Sequence, residues 1–286
     1  NGLTGGAAYR TPIGGSGAYV EGYVKNVYAQ RGASGQLSET TIRGLSTGLT
    51  AGWPVVRDLH RHHYVLLEAR HSEVESITSL ENFESAAQTI SATYLMGYRT
   101  SDGSPSHASL TLAAGTTDDD LASTGERVDP EFWRLRAGLG IARHLLAIHR
   151  DTAVRAEVWG QFSTSHLPSV EDFYLGDKEA VRGYAFAEGL GDMGAAASIE
   201  FSHHVSLGDG WIYSLTPFAF VDMGIVETTD DTVGLGPNTL ASVGLGTQAT
   251  FAQNISLSGW IGVPLKDGRL TDQYSPGAYL RLSKAW

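Results

Sequence analysis

Apolar side chains recur at every second position over segments of about ten residues along almost the whole chain. In the clearest segment, 195–207, Ile199 and Phe201 share one parity, whereas Glu200 and Ser202 hold the other. A period of two puts these sets on opposite faces of a β-strand. No segment shows the 3.6-residue period of a helix convincingly. The pattern therefore predicts an all-β chain with one apolar and one polar face.

The same period predicts thirteen strands, at about 5–12, 17–30, 41–56, 61–74, 87–100, 106–117, 132–146, 151–163, 193–207, 211–226, 238–251, 254–265 and 276–286. The connections alternate between short and long, beginning with a short turn at 13–16 and a long segment at 31–40. The longest connection is 164–192. This alternation is typical of a transmembrane antiparallel up-and-down β-barrel, with tight periplasmic turns and longer outer loops.

A soluble β-sandwich or lipocalin-like barrel is the alternative architecture. Such folds hide their apolar positions in a core and place charged residues outside. Here the polar positions are small, rich in glycine and interspersed with charges of both signs, among them Arg155, Glu157 and Glu200. That composition suits a water-filled lumen whose wall turns its apolar face to lipid. We therefore predict the membrane barrel.

Composition and charge narrow the function classes. The absence of cysteine excludes a disulfide scaffold, a thiolate metal site and a cysteine nucleophile. A net charge of −11 argues against a nucleic-acid partner. No run of 18 uncharged apolar residues is present, so no transmembrane helix is predicted.

The strand count bears on the domain organisation. A bacterial barrel normally has an even number of strands and starts from the periplasm. We assume that the last strand runs toward the periplasm and ends there at Trp286. Because strand directions alternate, the first of thirteen strands also runs toward the periplasm. An odd number of strands is therefore expected before Asn1. The last strand alternates apolar residues and closes on Trp286, as in the assembly signal of outer-membrane barrels; Lys284, on the apolar parity, departs from that pattern.

The 164–192 connection carries the most specific motifs. Connections of this length are usually functional or disordered. This one contains Phe173, Leu175 and Gly176, followed by the run Val181, Arg182, Gly183 and Tyr184. Two strands further on, parity alone places Asp222 on the polar, lumen-facing side together with Gly224.

These segments resemble the transporters of two-partner secretion (TpsB type, the haemolysin and haemagglutinin secretion family) within the BamA-like superfamily. The Val-Arg-Gly-Tyr run at 181–184, after a Phe-x-Leu-Gly segment, is similar to the superfamily's loop signature. Phe220, Asp222 and Gly224 fit its Phe-x-Asp-x-Gly strand motif, while Asp177 stands where a second glycine is usual. The resemblance implies that the loop folds into the lumen and that Arg182 meets Asp222.

The resemblance also implies a sixteen-stranded barrel, of which residues 1–286 are the carboxy-terminal thirteen strands. Three first strands, a plug helix and the POTRA domains are then expected to lie outside this chain. The implied function is a translocation pore in the outer membrane of a Gram-negative bacterium, which exports a large exoprotein of the haemolysin, adhesin or contact-toxin type. Recognition of the exoprotein's amino-terminal secretion domain, insertion by the barrel assembly machinery and contact with lipid and lipopolysaccharide follow from that function. No enzymatic activity and no cofactor are expected.

Other functions remain open at this point. An outer-membrane assembly factor or insertase of the BamA or TamA type shares the loop motif, and a diffusion porin shares the barrel. His60, His62 and His63 suggest a metal site, but a solvated basic turn is favoured because no carboxylate framework accompanies them. No Gly-x-Ser-x-Gly elbow is found. We expect the charges at 155, 157 and 200 to line a polar channel wall.

Overall fold

The computed structural model describes residues 2–31, 40–78, 82–100, 103–122, 127–176, 180–208, 210–229 and 238–284. Thirteen strands in these ranges form one antiparallel sheet: β1 (Gly2–Ile13), β2 (Ala18–Arg31), β3 (Thr40–Arg57), β4 (Arg61–Thr78), β5 (Asn82–Arg99), β6 (Pro105–Thr116), β7 (Glu131–His144), β8 (Thr152–Phe162), β11 (Met193–His203), β13 (Ile212–Glu227), β14 (Asn238–Phe251), β15 (Ile255–Pro264) and β16 (Gly277–Lys284). Three short strands complete the set: β9 (Phe173–Leu175), β10 (Gly189–Gly191) and β12 (Val205–Ser206).

Each long strand pairs with its neighbours along the chain, and β8 pairs directly with β11 across the long connection. This is the up-and-down antiparallel order of a transmembrane barrel wall, so the predicted fold class and the thirteen strands are confirmed. None of the helical turns among the described residues is long and apolar enough to cross a membrane.

Three predicted strand boundaries were wrong by four residues or more: the end of 61–74, the start of 87–100 and the end of 193–207. The apolar period fades near Val74, yet the ladder between β4 and β5 continues to the pair Ile77 and Asn82. Polar residues carry this extension, including Glu75, which forms an ion pair with Arg43 on β3. The ladder depends on backbone groups, so it persists where the side chains no longer alternate.

The predicted strand 193–207 was also drawn too long, because it is interrupted at His204. The amide of His204 donates to the carbonyl oxygen of Asp151 at 2.8 Å, outside the ladder with β13. The chain then rejoins β13 through the two residues of β12.

One face of the sheet exposes large apolar side chains along its whole width. Ile90 on β5, Leu245 on β14 and Leu280 on β16 are 72%, 68% and 71% exposed. Soluble proteins do not leave apolar patches of this extent in water. A lipid-facing belt accounts for them, as the sequence predicted.

The opposite face is polar and carries the long connection. The register aligns Ser198 on β11, Asp222 on β13 and Ser242 on β14 on this face. The main buried apolar cluster lies between this face and the connection. Its members are Phe173, Leu175, Val181 and Tyr184 from the connection and Ala196, Val226 and Leu240 from the wall.

The assignment of the two faces predicts a contrast within β14. Leu245→Arg places a charge in the lipid belt and should lower the free energy of unfolding by about 2–4 kcal/mol if the position lies near the bilayer midplane. Gln248→Arg, on the lumen face of the same strand, should change it by no more than about 0.5 kcal/mol. Urea unfolding of the two variants in lipid bilayers measures both values, and equal destabilisation would contradict the assignment.

Candidate functional site

The connection between β8 and β11 forms a compact structure on the polar face. A single 3-10 turn at Ser169–Glu171 leads into β9, which pairs with β10 through Phe173 and Gly191, Tyr174 and Leu190, and Leu175 and Gly189. We call residues 165–175 the N-terminal limb and residues 180–192 the C-terminal limb. The C-terminal limb contains the Val-Arg-Gly-Tyr motif.

The motif has a sharply turned backbone. Val181 has φ 62° and Gly183 has φ 101°. A left-handed conformation is ordinary for glycine but strained for a β-branched residue such as valine. Such a strained conformation persists only where contacts with the surrounding structure hold the residue in place. Here Val181 is buried in the apolar cluster, and Arg182 projects away from it toward the wall.

Arg182 binds Asp222 through both its side chain and its backbone. Its Nε and Nη2 atoms donate to the two carboxylate oxygens of Asp222 at 2.8 Å and 2.9 Å. The backbone amide of Arg182 donates to the same carboxylate at 3.0 Å. A bidentate pair of this kind fixes orientation as well as distance.

Further groups complete the coordination of the guanidinium. Its Nη1 donates to Glu200 at 2.9 Å, and its Nη2 lies 3.1 Å from the hydroxyl of Ser198, which itself donates to Asp222 at 2.7 Å. The ring of Phe220 lies 3.5 Å below the guanidinium carbon, within the range of a cation–π contact.

The pair is shielded from water. The side chains of Arg182 and Asp222 are 12% and 3% exposed. Burial alone would lower the pKa of Arg182, but the hydrogen bonds to Asp222 and Glu200 raise it above its ordinary value. The arginine therefore stays charged. Removal of Arg182 would leave the buried carboxylate of Asp222 uncompensated, whereas removal of Asp222 would leave Arg182 paired with Glu200 alone.

Glycines on the wall allow the motif to approach the sheet. A Cβ atom added to Gly262 on β15 would lie 2.9 Å from both the carbonyl oxygen of Arg182 and the amide nitrogen of Gly183. One added to Gly277 on β16 would lie 2.7 Å from the carbonyl oxygen of Gly183. Gly224 on β13 likewise leaves the space that Leu175 and Val181 fill.

Tyr184 fixes the end of the motif to two strands. Its hydroxyl lies 2.9 Å from the carbonyl oxygen of Ala241 on β14 and 3.0 Å from that of Lys266, just beyond β15. Burial raises the pKa of this hydroxyl. It therefore remains a neutral donor at physiological pH.

The residues predicted from sequence divide into three groups. The structure brings Arg182, Asp222, Phe220 and Glu200 into one contact network, next to the apolar cluster described above. Gly176 adopts φ 94° at the end of β9. Trp286 and Asp177 lie outside the described residues.

Arg155 and Glu157 lie beside this network on β8, where the register pairs Arg155 with Glu200 and Glu157 with Ser198. They form an ion pair with each other, with Nε of Arg155 2.9 Å from the carboxylate. Both line a cavity of about 690 Å³ that also borders Arg182 and Glu200. On β8 they share the parity of Gln161, which donates to the connection. Among the described residues, no group of three or more histidines or acids could hold a metal ion.

Sequence reasoning missed the two carboxylates of the connection that have no exposed surface at all. Glu171 and Glu188 are both fully buried. Glu188 accepts hydrogen bonds from the amide of Leu270 and the hydroxyl of Thr271, at 2.5 Å and 2.6 Å, and so fixes the loop that precedes β16. Neither acid belongs to a periodic pattern, and no signal in the sequence separates them from solvated loop charges.

The chain matches a known protein family over more than half of its length. Residues 70–249 match the family described as haemolysin secretion/activation protein ShlB/FhaC/HecB. The chain belongs to this family. It is a family of secretion transporters, and its members are β-barrel proteins of the Gram-negative outer membrane, which is where the chain resides.

Solved structures of secretion and assembly barrels share the fold. CdiB from Escherichia coli superposes with a TM-score of 0.78 at 16% identity, over 98% of this chain and 52% of that one. CdiB from Acinetobacter baumannii gives 0.69 at 16% identity, over 98% and 49%. BamA from Haemophilus ducreyi lacking POTRA domains 1–3 gives 0.64 at 14% identity, over 99% and 62%. This family member thus spans about half the length of the two CdiB chains. A search of curated protein sequences gave no match.

The close approach of the motif to β15 predicts the effect of one methyl group. Gly262→Ala should displace the backbone at 182–183 and weaken its binding by about 1–3 kcal/mol, the usual cost of overpacking. Hydrogen exchange of the Arg182 amide should then accelerate roughly ten- to hundredfold. The control is Gly22→Ala, where no atom lies within 4 Å of the added methyl. Unchanged exchange in the Gly262→Ala variant would show that the motif is not seated on β15.

Proposed function

We propose that this family member forms the translocation pore of a two-partner secretion system and exports one large exoprotein to the cell surface. The observation that carries the proposal is the binding of Arg182 by Asp222, Glu200 and Phe220. This contact holds the connection inside the barrel, where it determines how much of the lumen remains open. Family membership supports the same function.

The lining of the lumen suits translocation of a polypeptide better than stable binding of a ligand. Charges of both signs line the cavity, with Arg136 and Arg155 facing Glu157 and Glu200. An unfolded polypeptide of mixed composition meets no deep apolar site there that would retain it. No nucleotide supply is expected in the periplasm, so folding of the exoprotein outside the cell would drive its export. The role requires no catalytic group and no cofactor.

Several partners follow from the proposal. The exoprotein would be recognised through its amino-terminal secretion domain by POTRA domains outside residues 1–286, as the family resemblance implies. The barrel assembly machinery would insert the protein by way of its carboxy-terminal strand. Outer-membrane lipid and lipopolysaccharide would surround the exposed apolar belt.

An assembly factor of the BamA or TamA type is the second candidate. The bound loop motif fits that function equally well, and the fold of the chain resembles BamA. A diffusion porin is a third, more distant candidate. These candidates differ in which other proteins need the barrel for export or for membrane insertion.

Deletion of the gene separates the candidates. Mass spectrometry of culture medium and outer membranes should show the loss of one large exoprotein from the medium and an unchanged set of membrane proteins. A broad fall in other outer-membrane barrels would identify an assembly factor instead. If neither fraction changed, protein transport would be wrong, and solute conductance would be the next measurement.

The proposal also predicts the effect of releasing the motif. Arg182→Ala should reduce export of the exoprotein several-fold while the barrel remains heat-modifiable on gels, because the strand ladders do not involve this side chain. Arg150→Ala is the matched control, since its side chain is 85% exposed in the turn between β7 and β8. Wild-type export by Arg182→Ala would contradict the role given to the motif.

A further inference from the structure

The N-terminal limb has an electrostatic contact of its own. Glu171 is fully buried on the polar face of the sheet. Arg134 on β7 donates to one of its carboxylate oxygens through Nε at 2.8 Å and lies 2.6 Å away through Nη2. Arg70 on β4 donates to the other oxygen at 2.5 Å.

The backbone at Glu171 is held as well. Its carbonyl oxygen accepts hydrogen bonds from Arg136 at 3.2 Å and from Gln161 on β8 at 3.1 Å. Gln161 also donates to the carbonyl oxygen of Asp192 at 3.0 Å. One side chain of the wall therefore joins Glu171 of the N-terminal limb to Asp192 at the end of the C-terminal limb.

The two limbs reach different parts of the wall. Glu171 contacts β4 and β7, whereas Arg182 contacts β11 and β13, and Gly183 lies against β15 and β16. Among the described residues, β4 and β13 share no ladder. The connection therefore links parts of the sheet that the strands themselves do not link directly.

The charges around Glu171 make it essential to this contact. Arg70, Arg134 and Arg136 converge there, and Glu68, another acid near these arginines, accepts a hydrogen bond from Tyr23 at 2.7 Å. The side chain of Arg134 is 3% exposed. Without Glu171, this guanidinium would be buried with no carboxylate bound to it, which is strongly unfavourable.

We infer that Glu171 is a positioning residue: a second anchor that holds the N-terminal limb against β4 and β7, independently of Arg182, and thereby sets the free width of the lumen. Its importance for export rests on the proposed function. The anchor itself does not, because it can be measured in the isolated protein. Loss of Glu171 should release residues 165–172, which precede the ladder between β9 and β10, while Arg182 remains bound to Asp222.

Thiol labelling tests the anchor directly. The chain contains no cysteine, and Ala87 on β5 is 2% exposed beneath Leu167 of the N-terminal limb and Phe132 of the wall. In the full-length protein carrying Ala87→Cys, a water-soluble maleimide should react at least tenfold faster after Glu171→Gln. Asp118→Asn, which removes an exposed acid from the 117–130 loop, should leave the rate unchanged. An unchanged rate after Glu171→Gln would overturn the inference.

The same assay tests independence from the first anchor. Arg182→Ala should alter the labelling rate less than about threefold, because the contacts of Glu171 remain in place. Equal acceleration by Arg182→Ala and Glu171→Gln would show that the connection moves as one body. That result would overturn the claim of a second anchor.

A double variant separates anchoring from simple charge balance. Glu171→Gln combined with Arg134→Gln removes both buried charges and should restore the temperature at which the barrel unfolds on gels. Labelling and single-channel conductance should stay above the wild-type values, because the limb is still untethered. A return of the labelling rate and the conductance to wild-type values would mean that Glu171 only neutralises Arg134. The inference would then fail. Failure of the proposed export function would appear in a separate experiment. In that case, deletion of the gene would leave the amount of exoprotein in the medium unchanged.

Discussion

The buried ion pair between Arg182 and Asp222 is the contact on which the arrangement of the lumen depends. It combines two side-chain hydrogen bonds, one backbone hydrogen bond and an aromatic face beneath the guanidinium. Because these groups are largely withdrawn from water, loss of either partner costs more than an exposed pair could contribute. The left-handed conformation of Val181 and the close approach of Gly183 to Gly262 are maintained because this pair and the apolar cluster hold the turn in place.

The sheet needs the connection because it has no core of its own. Its apolar face is exposed rather than packed against another layer, and its other face consists largely of glycine, small polar residues and charges. The connection supplies the missing layer over one part of that face, with Leu175 and Val181 packed into the space above Gly224. Next to this layer, the pair formed by Arg155 and Glu157 lines the open cavity.

Much of this structure could be predicted from sequence, for physical reasons that particular residues illustrate. A period of two is enough to assign Asp222 to the lumen and Val221 to lipid, because neighbouring side chains on a strand point in opposite directions. The partner of Asp222 came from the resemblance of the motif at 181–184 to a known family, since no periodicity links positions 40 residues apart. Glu171 could not be found in either way: it lies in an irregular turn, and its partner Arg70 is 101 residues distant. Strand ends also escaped prediction where polar residues continue a ladder, as at Glu75.

The central claim is that one exported polypeptide passes through this lumen, and two neighbouring residues of β6 test it most directly. Ser109 faces the cavity, whereas Leu110 is 51% exposed on the lipid face. A photo-reactive amino acid at each position, activated during export in living cells, would report what lies next to the wall. The account predicts cross-links to a single large exoprotein at position 109 and to none at position 110. Absence of that polypeptide at position 109 while export proceeds, or equal cross-linking at both positions, would contradict it.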